Sequence, residues 1–111
     1  GIGKDREDRF WMALLRQGLV GGYLRKEIEQ AWYNADAAYA KYRAADAAFA
    51  SAEVAFSYEQ AKAEAGRSTV FDFNDAKTRM EKAAAEAVQA KYEFVFRSKI
   101  LDFYRGEPLR L

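Results

Sequence analysis

Apolar and alanine residues return every seven positions through two long stretches of this chain, and that repeat leaves few folds open. Over residues 23–65, Ile28, Ala35, Tyr42, Phe49, Phe56 and Ala63 form one row. Leu24, Ala31, Ala38, Ala45 and Ala52 form the row beside it. The rows alternate at spacings of four and three, which is the seam of a coiled coil, and strict sevens over such a length imply a left-handed supercoil. Residues 69–104 carry a second pair of rows. Phe73, Met80, Ala87, Phe94 and Leu101 make one, and Ala76, Ala83, Ala90, Arg97 and Tyr104 make the other. Arg97 breaks the apolar pattern, so the seam is expected to open to solvent there. Gly106 and Pro108 then stop the helix.

Between the two stretches lies Ala65-Gly66-Arg67-Ser68-Thr69. Gly66 is placed to end a helix in the left-handed conformation that glycine adopts at little cost. Ser68 or Thr69 can cap the next helix, and Thr69 with Asp72 has the spacing of a capping box, Asp standing for the usual Glu. A stop and a start this close turn the helices antiparallel. The fold expected is all-α, a long antiparallel two-helix coiled-coil hairpin over 23–111: helix 23–65, tip turn 66–68, helix 69–104 and C-terminal tail 105–111. Residues 1–22 read as irregular or as a short amphipathic helix from Asp5 to Leu15, cut off by Gly18, Gly21 and Gly22.

Composition agrees. Of 111 residues half are hydrophobic, but 22 of them are alanine, which favours helix and buries little area, so close helix contact suits this chain better than a thick core. The 18 basic and 17 acidic side chains are interspersed, Lys41, Arg43, Lys62, Arg67, Lys77, Arg79 and Lys82 among acids. A nucleic-acid surface would show a basic stripe, and none is expected to bind here. Histidine and cysteine are absent. The commonest general base, the commonest metal ligand and all thiol chemistry go with them, so a non-enzymatic chain without cofactor or metal is expected. No apolar run approaches the roughly 18 residues of a membrane span. Gly1-Ile2-Gly3-Lys4 does not open a signal peptide, and the chain reads as a piece of a longer protein.

A plain hairpin needs one apolar seam per helix. This chain carries more: Trp32 and Tyr39 lie beside the first seam, and Ala85, Val88, Tyr92 and Val95 widen the second. Helices with two apolar faces call for further helices alongside.

Residues 24–111 resemble the C-terminal helical hairpin of TolC-like outer-membrane efflux proteins. The stretch from Ala65 to Ala76, AGRSTVFDFNDA, is similar to that family's periplasmic tip. Ala31-Trp32-Tyr33-Asn34-Ala35, Gln89-Ala90-Lys91-Tyr92-Glu93-Phe94, Ile100-Leu101 and Tyr104-Arg105-Gly106-Glu107-Pro108-Leu109 are similar to other family segments. The resemblance implies a trimeric duct whose helices form the wall of a hollow periplasmic α-barrel, anchored by strands in the outer membrane. It exports drugs or proteins, and its tip meets a periplasmic adaptor protein that links it to an inner-membrane pump. This segment would lie in the periplasm. By the same resemblance Ala65, Gly66, Arg67, Ser68, Thr69 and Val70 would form the adaptor-facing tip, and Asp72 and Asp75 would ring the channel aperture. A tyrosine and an arginine that help close the aperture in other members are replaced here by Ala63 and Ser68, with Arg67 next door. From the residues alone, Asp72 and Asp75 also suit the first turn of a helix, whose dipole favours acids. The alternative reading is a soluble coiled-coil module that docks on another protein through its apolar stripe.

Overall fold

The computed structural model describes residues 6–9, 12 and 25–104. Two helices dominate: α1, Arg25–Glu64, and α2, Val70–Tyr104. No strand occurs among the described residues. The chain is all-α, and its two long helices pack against each other as a helical hairpin. The described residues divide between two compact units, Gly1–Ala40 with Tyr92–Leu111, and Lys41–Lys91.

In the first unit α1 buries Ile28, Ala31, Trp32, Ala35 and Ala38. From α2, Phe94, Leu101 and Tyr104 are half-buried. Tyr39 meets Phe94 with ring centroids 5.1 Å apart and planes at 47°. Ile28 is fully buried, and a side chain of that size removed from water stabilises by about 1.5–3 kcal/mol. In the second unit Tyr42, Ala45, Phe49, Ala52 and Phe56 of α1 are half-buried, as are Phe73, Ala76, Met80 and Ala83 of α2, while Ala87 and Ala90 are buried. Phe56 and Phe73 meet at 5.4 Å and 50°. Alternating alanine with aromatic residues lets the backbones approach while the rings fill what alanine leaves empty.

Leu24 lies outside the described residues; the other members of the rows expected from the sequence are the covered residues, with one exception. Ala63, last of its row, is exposed, so the seam ends before the tip. Arg97 is half-buried and lines an open groove of about 440 Å³ with Lys26, Gln30, Asn34, Ile100 and Tyr104, as the break in the apolar pattern implied. Trp32 and Tyr39, beside the first seam, are packing residues: Trp32 is 6 % exposed, and the Tyr39 ring meets Phe94. The widening residues of α2 do the opposite: Ala85, Val88, Tyr92 and Val95 are exposed.

Of the N-terminal segment, residues 6–9 and 12 are helical, and Tyr33 donates a long hydrogen bond of 3.4 Å to Glu7. The remainder of 1–22 and the tail 105–111, with the expected stop at Gly106 and Pro108, lie outside the described residues.

Candidate functional site: the tip

The helix turn is built from two capping motifs set end to end. Gly66 has φ +73°, the left-handed region, and its N–H donates to the Ala63 carbonyl at 3.0 Å. The Arg67 N–H reaches back to the Lys62 carbonyl at 2.8 Å. This pair of backbone bonds is the Schellman closure, which satisfies carbonyls that the end of a helix leaves without partners. Ala65 belongs to that closure, so α1 ends one residue earlier than the spacing of its rows suggests. Past the turn, the Thr69 hydroxyl accepts from the Asp72 N–H at 3.0 Å, and the Thr69 carbonyl accepts the first intrahelical bond, from Phe73, at 3.0 Å. Thr69 is thus the cap and Val70 the first helical residue. Among the described residues the reciprocal arm, from Asp72 back to the Thr69 N–H, does not form. Aspartate is one methylene shorter than the usual glutamate.

Of the residues expected at the adaptor-facing tip, Ala65, Gly66, Arg67, Ser68 and Thr69 form this turn and Val70 opens α2; all but Ser68 are exposed. Ser68 is half-buried, and its hydroxyl donates to Glu59 at 2.9 Å. The other carboxylate oxygen of Glu59 accepts from Lys62 at 3.2 Å. The Ser68 hydrogen bond is the main influence lowering the Glu59 carboxyl below its ordinary value; partial burial opposes it, and Lys62 adds a hydrogen bond and a positive charge. Lys62 also stands 5.5 Å over the Tyr58 ring.

Asp72 and Asp75 are both exposed, and Asp75 accepts from the Arg79 guanidinium at 2.9 Å. An ion pair this exposed contributes little to stability. Asp72 lies in the first turn of α2, where its charge complements the helix dipole. The two aspartates share an open groove of about 540 Å³ with Ala52, Ala55, Tyr58, Glu59 and Arg79.

Four participants were not legible as site residues: Glu59, Lys62, Phe71 and Arg79. Arg79 stands four residues after Asp75, a spacing that pairs charges on one helix, so that signal was present. Glu59 stands seven residues after Ala52, where the row calls for an apolar side chain. Phe71 is 77 % exposed beside Val70, so the tip carries an apolar knob that its polar turn does not advertise.

Among the described residues no group of three or more acidic side chains is placed to hold a metal ion, and no helix is long and apolar enough to cross a membrane. No family model, no curated protein and no solved structure matches the chain.

Proposed function

We propose that this chain is a periplasmic helical hairpin of a trimeric TolC-like outer-membrane efflux duct, contributing to the channel wall and to the tip that meets a periplasmic adaptor protein. The observation that carries the reading is the two-sidedness of α2. One side of this helix is covered by α1. On the other, Tyr92, Val95, Phe96 and Phe103 stay exposed, Tyr92 at 69 %. Their spacing puts them opposite the Phe94–Leu101 row, so α1 cannot cover them. Water-facing aromatic residues at helical spacing call for another helix, and a wall of helices side by side supplies one. The turn supports the same reading: it is short, closed by backbone bonds at the end of α1 and by the Thr69 cap at the start of α2, with Val70 and Phe71 offered outward as contacts for a partner. Asp72 and Asp75, which sequence resemblance puts at the aperture, are solvent-facing and able to line a water-filled passage.

The test is made in the intact duct protein. Gly66→Pro removes the N–H that bonds Ala63 and forbids the positive φ, while Arg67→Glu reverses the charge at the tip. Both are expected to abolish export and cross-linking to the adaptor. Export and cross-linking at parental levels in both variants would overturn the assignment. If a monomeric parent docks the Tyr92–Phe103 face on an unrelated protein, the chain is instead a coiled-coil interaction module.

A further inference from the structure

We infer that Glu59 is the positioning residue of the tip: by holding the Ser68 hydroxyl it sets the angle at which the turn hands the chain to α2, and with it the presentation of residues 65–70. The argument begins with what the two capping motifs leave undetermined. The backbone closure of α1 is complete at Arg67, and the capping of α2 begins at Thr69. Ser68 alone lies between them. Its backbone makes none of the hydrogen bonds of either motif, so it is the joint about which the two pieces can swing. Glu59 limits that freedom through a 2.9 Å side-chain bond spanning nine residues from α1 to the joint, the shorter contact of a hydroxyl that also lies 3.2 Å from the Thr69 carbonyl. Its location explains why a carboxylate is used there. Glu59 occupies the row of Ala31, Ala38, Ala45 and Ala52, about two turns before Gly66, where an alanine could not reach the turn. Lys62 fixes the second oxygen and so fixes the rotation of the carboxylate. The remaining ionisable groups facing it are Tyr58 on α1 and Asp72, Asp75 and Arg79 on α2, which share its groove.

The joint's rigidity does not depend on the duct reading; its use in presenting the tip to an adaptor rests on that reading. The test therefore needs no partner: amide exchange at Arg67 and Phe73 by NMR in the full chain, for wild type, Ser68→Ala, Glu59→Ala, the double variant and Glu59→Gln, with helicity followed by circular dichroism. Either alanine change is expected to speed exchange by about two- to tenfold, the range of one ordinary hydrogen bond, and the double variant by no more than the larger single effect. Glu59→Gln keeps an acceptor for Ser68 but not the charge, so at neutral pH it is expected to lie between wild type and Glu59→Ala, where wild type itself goes on protonation. On acidification wild type is expected to lose protection at these amides, while Glu59→Gln keeps its neutral-pH value. Additive single effects, or the same acid profile in wild type and Glu59→Gln, would overturn the inference. Should Glu59→Ala lose its helicity, Ser68→Ala and Glu59→Gln carry the test alone.

Discussion

Gly66 shows how one residue can be strictly required yet loosely packed. Nothing lies within 4 Å of where its Cβ would stand, so the requirement comes from the backbone alone. Gly66→Ala is expected to cost about 1–2 kcal/mol in denaturant unfolding, the penalty of a left-handed L-residue, with no added steric cost. Thr69→Ala should cost about 1 kcal/mol by loss of the cap, and Thr69→Ser should restore most of it. Two ionisable groups give opposite pH signatures. The folded pKa of Glu59 is depressed, so its contribution is complete above the ordinary glutamate range and is lost as pH falls through the lowered value. The Tyr33 phenol is raised, first by the charge of Glu7, then by partial burial and by its hydrogen bond to Glu7. Its contribution is complete below the ordinary tyrosine value and is lost as pH climbs through the raised one. Tyr33→Phe should flatten the alkaline arm of a melting-temperature profile and leave the acid arm unchanged.

At the scale of elements, the seam combines alanines that set the helix separation with aromatic pairs that lock it. Ala90 is 2 % exposed, and Ala90→Leu is expected to cost about 1–3 kcal/mol by forcing α1 and α2 apart. For Phe56 and Phe73, a double-mutant cycle to alanine should return a coupling of about 0.5–1.5 kcal/mol in urea unfolding; a value indistinguishable from zero would mean the rings only share solvent. These elements were largely legible in the sequence because they obey a period. The rows from Ile28 to Phe56 and from Phe73 to Leu101 are the covered rows, and Gly66 and Thr69 perform the stop and start their chemistry suggests. What escaped the reading has no period. The Glu59–Ser68 bond exists because a particular turn brings position 68 back toward position 59, and no spacing rule encodes that path.

At the scale of the whole molecule, the outward face of α2 governs how the chain behaves in company. Light scattering is expected to show concentration-dependent association, and Tyr92→Lys with Phe96→Lys should reduce it without loss of helical circular dichroism. Undiminished association in that double variant would point to another surface. The alanine rows carry one more consequence. Moving α2 by seven residues along α1 sets methyl against methyl once again, like a ladder whose rungs are all alike. Only a few rings and the covalent corner mark the true rung. Cutting the single peptide bond between Arg67 and Ser68 would therefore turn one hairpin into two rods free to settle in several staggered alignments. The molecule keeps its register at its corner more than along its length.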